Sequence, residues 1–368
     1  MRSRFLVTVV VLVMWCLAAE ARPLKHKKTP KQKAPKRNAQ AALAIKDDPS
    51  LPLGESWAKQ IDSFFRHQRP ECGAFVAISP STGEVIALSE HSTVASVPHP
   101  ATTAAFPAAS IFKIVSAAAL LESGKVTPST TVCYSGGSHS LEAAHLKDSR
   151  RDRACRSLAS AFAHSTNAVF GKLAVRHLDA KGLLSMAERL GFNRVVAVGN
   201  VQAQSRAQLP VGELGLARMA AGFTNSTLAP LHAALIAAMI ANGGQLPAGA
   251  MLRGVSDMAR VDTRLLPANV AARIREMMAL TSRDGTAAKY FARYQGRDGG
   301  VAVKTGSLTS TDGSGRFNTW MVGFFPANRP EFAFAALVST KGPLKAGHLA
   351  RHAIEAYLKL KKARAGQS

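Results

Sequence analysis

The chain has 368 residues, of which 47% are hydrophobic, and it carries a formal net charge of +24 at pH 7. This length allows two average domains or one large domain, and the apolar content is sufficient for a substantial core. Much of the positive charge lies in residues 22–46 and in a tail that holds Lys359, Lys361, Lys362 and Arg364. Charge concentrated in such segments supports nucleic-acid binding only weakly, so no nucleic-acid partner is expected.

Residues 1–21 have the pattern of a secretory signal peptide. Two arginines precede an apolar run at residues 5–17, and the small-residue sequence Ala-Glu-Ala ends at Ala21. The run is shorter than the roughly 20 residues that a membrane-spanning helix needs, so cleavage after Ala21 is favoured over an uncut membrane anchor. The sequence therefore predicts export to the periplasm or cell envelope.

Residues 22–50 are predicted to be a basic, disordered linker. Seven residues between positions 25 and 37 are Lys or Arg, and hardly any bulky apolar residue precedes Leu43. Such a segment cannot bury enough surface to fold by itself. It could contact anionic lipid or wall polymer, or it could be only a solvated spacer.

The cysteines predict one disulfide. The sequence has four cysteines, and Cys16 lies within the predicted signal peptide. Of the other three, Cys133 and Cys155 flank one polar segment that is rich in Gly and Ser. Export to an oxidising compartment would allow these two cysteines to form a disulfide.

The remaining residues, 51–368, are predicted to form one domain that begins with a helix and a β-hairpin. Apolar residues recur at helical spacing from Trp57 to Phe65. Two short β-rich runs between residues 74 and 88 then flank the sequence Pro-Ser-Thr-Gly, which is typical of a turn.

The rest of the domain predicts an insertion of helices and then further strands. Residues 110–242 are mostly helical in pattern, and the predicted helical lobe extends to about residue 290. Strand character then returns at residues 301–303, 319–325 and 331–339, and a closing helix is predicted at residues 349–360. Strands at both ends with helices between them predict an α+β fold. We expect an antiparallel sheet, flanked by N- and C-terminal helices, with an inserted all-helical lobe and a cleft where sheet and lobe meet.

Three short motifs occur in order along the chain: Ser110-Ile-Phe-Lys113, Ser165-Thr-Asn167 and Lys304-Thr-Gly306. Each is weak alone, but together they are the serine set shared by penicillin-binding proteins and serine β-lactamases. The hairpin turn around Gly83 and residues 319–326 also resemble the transpeptidase domain of penicillin-binding proteins, of the serine penicillin-recognising enzyme superfamily. The resemblance covers most of residues 56–360. A second Ser-x-x-Lys, at Ser56, lacks the family's flanking sequence and predicts only a helix cap and a surface lysine.

The first motif predicts a serine nucleophile and its base. Positions three apart share one face of a helix, so Lys113 can place its amine beside the Ser110 hydroxyl. A neutral Lys113 could take the proton of Ser110 without a His or Asp. From an unperturbed pKa, neutral lysine at pH 7 costs roughly 4–5 kcal/mol. Partial burial and a nearby cation such as Lys304 would lower this cost.

The resemblance implies roles for the other two motifs. Ser165 relays a proton between Lys113 and the leaving amine, and Asn167 holds the substrate amide. The third motif ends a predicted edge strand, which can pair with an extended peptide. Its predicted substrate-binding residues are Lys304, Thr305, Gly306 and Ser307. Lys304 and Thr305 grip a carboxylate, Gly306 allows close backbone approach, and the N–H groups of Ser110 and Ser307 form the oxyanion hole.

The family resemblance implies a penicillin-binding serine acyltransferase. Such a D,D-transpeptidase is acylated at Ser110 by the D-Ala-D-Ala stem peptides of peptidoglycan and is captured covalently by β-lactams. The histidines His139, His145 and His164 do not have the spacing of a known metal site. No metal or other cofactor is expected.

Three other functions stay open at this point. A D,D-carboxypeptidase or endopeptidase forms the same acyl-enzyme, and the sequence does not identify the acceptor. A class A β-lactamase would need a Glu-x-x-Leu-Asn sequence, which is absent between Asn167 and Lys304, and a class D enzyme would have Val in place of Asn167. A β-lactam sensor or wall-peptide scaffold would bind without turnover, but all the expected catalytic side chains are present, which favours an enzyme.

Overall fold

The computed structural model describes residues 51–138, 140–254, 263–294 and 299–366. These residues belong to one compact unit, Ala42–Ser368. The predicted signal peptide and basic linker lie outside the described residues, and so does His139. Within the described part of the chain, no helix combines the length and the apolar character needed to cross a bilayer.

The chain folds into thirteen strands and ten α-helices in the described residues. The strands are β1 Cys72–Ile78, β2 Val85–Ser92, β3 Phe106–Pro107, β4 Thr131–Tyr134, β5 Ala154–Ser157, β6 Val195–Val198, β7 Val201–Gln204, β8 Arg206–Ala207, β9 Ser226–Leu228, β10 Ala250–Arg253, β11 Ala302–Thr309, β12 Phe317–Phe325 and β13 Phe332–Thr340. The helices are α1 Leu53–Gln68, α2 Lys113–Glu122, α3 Leu158–Ala163, α4 Asn167–His177, α5 Ala180–Arg189, α6 Gly212–Ala221, α7 Pro230–Ala241, α8 Ala268–Arg283, α9 Ala288–Phe291 and α10 Ala346–Ala365.

The predicted α+β fold is confirmed by the central sheet. Five antiparallel strands lie in the order β11-β12-β13-β1-β2, so the N-terminal hairpin pairs with strands from the end of the chain. Strand β13 is buried along its whole length, as expected for a central strand covered on both faces. Strand β11 lies at one edge of the sheet, which leaves its outer backbone groups free to pair with a peptide.

Two helical layers cover the sheet. On one face pack α1 and α10, and the Trp57 indole N–H donates to the Ala353 carbonyl across them (2.8 Å). On the other face packs the insertion, with α7 against β13 and β1. Helix α7 is buried from Pro230 to Ile240 because it lies between the sheet and the other helices of the insertion. Along β11 the side chains alternate between the two faces, so Ala302 belongs to the core on the insertion side and Val303 to the core on the side of α1 and α10.

The predicted all-helical character of the inserted lobe is wrong. The lobe contains small sheets of its own: β4 with β5, β10-β6-β7, and β3-β9-β8. These strands have two to four residues each. Such short strands leave almost no alternating pattern in the sequence, because strand propensity depends strongly on the neighbours with which a segment pairs.

Two local predictions can be compared with the described residues. Cys133 and Cys155 lie opposite each other on β4 and β5 and form a disulfide. Ser56 is not a helix cap: α1 begins earlier, after Pro52, and the Ser56 hydroxyl accepts a hydrogen bond from Arg364 (3.0 Å). Its companion Lys59 is exposed, as expected of a surface lysine.

Replacing both Cys133 and Cys155 with Ala should lower the free energy of unfolding by about 3 kcal/mol, because the disulfide closes a loop whose ends are 22 residues apart. Urea unfolding with and without reductant measures this. Reductant should destabilise the wild type to the level of the double variant and leave the variant unchanged. A double variant as stable as the oxidised wild type would contradict the assignment.

Candidate active site

Ser110 lies in a single 3₁₀ turn, Ala109–Phe112, immediately before α2. Ala109 has a φ of +48°, in the left-handed region that non-glycine residues rarely adopt. Gly222, which ends α6 with a φ of +88°, fits directly against this turn. A Cβ atom at Gly222 would collide with the Ala109 carbonyl oxygen, so a glycine is needed there. The end of α6 therefore fixes the strained backbone that presents Ser110.

Lys113 is fully buried one turn after Ser110. Its Nζ lies 2.8 Å from Ser110 Oγ, 2.6 Å from Asn167 Oδ1 and 2.7 Å from the Ala221 carbonyl oxygen. The last two atoms can only accept hydrogen bonds, whereas a hydroxyl can also donate. A neutral amine, with two N–H groups and one lone pair, therefore donates to Asn167 and Ala221 and directs its lone pair at Ser110.

The surroundings favour the neutral form of Lys113. Burial lowers the pKa of Lys113 well below its usual value, and the positive charge of Lys304 lowers it further. Lys304 is also fully buried, and burial lowers its pKa to about 7. The amine nitrogen of each lysine also lies over an aromatic ring, Lys113 over Phe170 and Lys304 over Phe162, both at 5.5 Å from the ring centroid.

The second motif lies at the junction of α3 and α4. Ser165 has a φ of +58°, and its Oγ lies 3.2 Å from the Nζ of Lys304. Asn167 is the first residue of α4; its amide nitrogen donates to the Ser138 carbonyl (2.7 Å) while its oxygen accepts from Lys113. The structure thus brings both motif residues to the site. In the structure Ser165 contacts Lys304. Both polar atoms of the Asn167 amide are hydrogen-bonded within the protein, the oxygen to Lys113 and the nitrogen to Ser138.

The third motif lies on the edge strand β11 beside the nucleophile. A Cβ atom at Gly306 would lie 3.2 Å from the backbone nitrogen of Ser110, so the absence of a side chain allows this close packing. Lys304 also donates to the Thr305 carbonyl (2.7 Å), and the Thr305 hydroxyl bonds that of Thr286. Ser307 follows on the same strand and is exposed.

Sequence reasoning did not identify several groups that complete the site. They are the Ala221 and Ser138 carbonyls, which hold Lys113 and Asn167, and Thr286, which holds Thr305. The Thr286 N–H donates in turn to the Ala163 carbonyl at the end of α3 (3.0 Å). Only Gly222 gave a local signal, because a glycine after a helical run is typical of a helix C-terminus.

The chemistry of the site can be compared with known families. Residues 73–358 match the family model described as the penicillin binding protein transpeptidase domain. The chain belongs to this family. The solved transpeptidase domain of Burkholderia pseudomallei penicillin-binding protein 3 has the same fold as this chain. It matches with a TM-score of 0.65 and 19% identity, over 85% of this chain and 93% of that chain.

More similar sequences come from mycobacteria. The peptidoglycan D,D-transpeptidase PbpA of Mycobacterium tuberculosis (strain CDC 1551 / Oshkosh) is 27% identical over 78% of this chain and 67% of its own length. A crystal structure of PBPA from Mycobacterium tuberculosis matches with a TM-score of 0.61 and 26% identity, over 84% of this chain and 81% of that chain. A ceftriaxone acyl-enzyme complex of the same relative has a TM-score of 0.61 and 28% identity, over 83% of this chain and 78% of that chain.

The histidines do not assemble a metal site in the part of the chain that the structure describes. There, no group of three or more His, Cys, Asp and Glu side chains is placed to hold an ion. His145 instead accepts a hydrogen bond from the backbone of Glu142 (3.1 Å), and His164 lies beside the Ser160 carbonyl (3.1 Å).

Gly222→Ala should destabilise the protein and slow acylation of Ser110, because the added Cβ must displace the Ala109 carbonyl. Gly124→Ala is the matched control: Gly124 also has a positive φ, +70°, but a Cβ there meets nothing within 4 Å. Both variants lose about 1–2 kcal/mol from the left-handed backbone. Urea unfolding and labelling by a fluorescent penicillin should show an additional loss of both stability and labelling rate for Gly222→Ala only. Equal effects would contradict the role of Gly222.

Proposed function

We propose that the chain is a peptidoglycan D,D-transpeptidase that forms an acyl-enzyme on Ser110 with D-Ala-D-Ala stem peptides. The observation that carries this proposal is the contact of Lys113 with Ser110 at 2.8 Å, in a site where the other two partners of the amine can only accept. A buried lysine that is neutral at physiological pH is a base that can activate a serine.

In the acylation step, Ser110 Oγ attacks the carbonyl carbon of the penultimate D-Ala, and its proton passes to Lys113. The bond to the terminal D-Ala nitrogen then breaks, and that nitrogen takes a proton from the Ser165 hydroxyl. Lys304 lies 3.2 Å from Ser165 Oγ and, with a pKa of about 7, can replace this proton. Lys113 gains one proton and Lys304 loses one, so the number of protons in the site does not change by more than the one that leaves on the amine.

In the transfer step, the amine of a second stem peptide attacks the ester carbonyl. The amine proton passes through Ser165 to Lys304, and Lys113 returns its proton to the departing Ser110 oxygen. Both lysines then have their starting protonation, and a new peptide bond joins the two stem peptides. Attack by water instead of an amine would give D,D-carboxypeptidase or endopeptidase activity from the same intermediate.

The substrate-binding roles follow from the edge position of β11. An extended peptide can add to this strand, which places its scissile carbonyl beside Ser110, and the N–H groups of Ser110 and Ser307 are then the proposed oxyanion hole. Thr305 and Lys304 would attract the terminal carboxylate. Because Lys304 is fully buried, we assign its main contribution to charge rather than to direct contact.

A serine β-lactamase is the second candidate, and the lack of a Glu-x-x-Leu-Asn sequence between Asn167 and Lys304 disfavours it. Rapid hydrolysis of the acyl-enzyme needs a base for water. Glu188 and Glu213 are the acids considered for this role; Glu188 accepts from Asn193 (3.2 Å), and Glu213 is exposed in the first turn of α6. Slow deacylation is therefore expected, with β-lactams acting as covalent inhibitors, as in the acyl-enzyme of the mycobacterial relative. To reach its peptidoglycan substrate, the protein would act in the periplasm or cell envelope after export.

Ser110→Ala should abolish covalent labelling by a fluorescent penicillin and leave the fold intact, because only the nucleophilic oxygen is lost. Ser56→Ala is the control, since Ser56 belongs to the second Ser-x-x-Lys on the far side of the sheet. It should label like the wild type. Labelling measured by gel fluorescence in Ser110→Ala would show that another residue is the nucleophile.

A labelled stem peptide ending in D-Ala-D-Ala tests the reaction itself. Mass spectrometry of the products should show peptide dimers together with released D-Ala, and Ser110→Ala should form neither. Release of D-Ala without dimers would assign the chain to the carboxypeptidases. Rapid and repeated hydrolysis of penicillin by the wild type would assign it to the β-lactamases.

A further inference from the structure

A loop rich in basic residues lies beside the catalytic helices of the insertion. This basic loop, residues 140–153, forms most of the connection from β4 to β5, whose Cys133 and Cys155 are joined by the disulfide. It carries four exposed cationic side chains within seven residues, at Lys147, Arg150, Arg151 and Arg153. Among the described residues, none of these four cations forms an ion pair with an acidic side chain.

The loop's own carboxylates near these cations are paired with cations of α4; the Asp152 side chain is buried, whereas that of Asp148 is exposed. Asp148 and Asp152 both bind the buried Nζ of Lys172 on α4, and Asp148 also binds Arg176. The hydrogen bond from Lys172 is the largest cause that lowers the pKa of both carboxyl groups, so they are ionised and already paired. The other acid of the segment, Glu142 at the start of the loop, is exposed.

These contacts attach the loop to a helix that carries a residue of the site. Helix α4 begins at Asn167, which contacts Lys113, and a rise of about 1.5 Å per residue places Lys172 about 8 Å along the helix axis. The loop therefore rests on the helix whose first residue contacts Lys113, whereas β11 packs against Ser110 through Gly306.

We propose that the basic loop is a docking surface for the carboxylates of an uncrosslinked peptidoglycan strand, an inference that rests on the proposed function. Stem peptides repeat along such a strand and carry free carboxylates, which match the charge of the loop. The Cα atoms of Lys147 and Arg153 lie at most about 22 Å apart, so the four charges face one short stretch of a bound strand. Arginine forms paired hydrogen bonds to carboxylates.

The rigidity of the loop adds to the argument. The disulfide joins its ends, and Lys172 also donates to the Cys133 carbonyl (3.0 Å). A surface already fixed by covalent and buried ionic contacts loses little conformational freedom when a ligand binds. Penicillin is too small to need such a surface, so acylation by penicillin and binding of a polymeric strand should respond differently to changes in the loop.

The test neutralises the loop with Lys147→Gln, Arg150→Gln, Arg151→Gln and Arg153→Gln. The matched control is Lys59→Gln, Arg66→Gln, Lys359→Gln and Lys362→Gln, four exposed cations of α1 and α10 on the opposite side of the sheet. Co-sedimentation with uncrosslinked peptidoglycan stripped of phosphate polymers measures affinity. At low salt the loop variant should bind about tenfold more weakly than the wild type. The control variant should bind nearly as the wild type does.

Penicillin labelling separates this proposal from the proposed function. The loop variant should label at the wild-type rate, which also shows that it is folded; if it does not, the two double variants Lys147→Gln/Arg150→Gln and Arg151→Gln/Arg153→Gln replace it. Unchanged affinity of folded loop variants, or an equal loss in the control, would overturn the proposal. A loss of affinity seen only with peptidoglycan that retains phosphate polymers would also overturn the proposal. Absence of labelling in the wild type would instead overturn the proposed function.

Discussion

The burial of two lysines, Lys113 beside Ser110 and Lys304 beside Ser165, is the constraint on which the site depends. An unpaired charge is costly away from water, and Lys113 has no carboxylate partner in its hydrogen bonds. Burial and the charge of Lys304 therefore favour loss of its proton. The carbonyls around Lys113 then orient the neutral amine toward Ser110. The same environment that would destabilise an ammonium ion thus produces a base.

The fold supplies this environment only when sheet and insertion are assembled. Lys304 comes from the edge strand β11, whereas Lys113 and Asn167 come from helices of the insertion. The sheet itself requires both ends of the chain, because β1 pairs with β13. Close packing at Gly306 brings the two parts together without a side chain between the backbones. Stability of the sheet and reactivity of Ser110 are therefore coupled.

The features that could be predicted are those with a local pattern. The three-residue spacing of Ser110 and Lys113 predicted their contact, and apolar runs at both ends predicted the sheet. The short strands of the insertion escaped prediction, since their pairing depends on tertiary neighbours. The Ala221 and Ser138 carbonyls also escaped, because any residue type supplies a backbone oxygen. That Ser165 contacts Lys304, from the distant strand β11, follows only from the assembled fold.

The protonation of Lys113 is the most direct test of this account. Nuclear magnetic resonance of the folded protein with isotope-labelled lysine side chains, titrated with pH, would measure the pKa of Lys113. We expect a value well below the ordinary one of about 10.4 and a rise toward that value in Lys304→Met, which removes the neighbouring charge. The control Lys359→Met should leave it unchanged. An ordinary pKa for Lys113 in the wild type, or no response to Lys304→Met, would contradict the account.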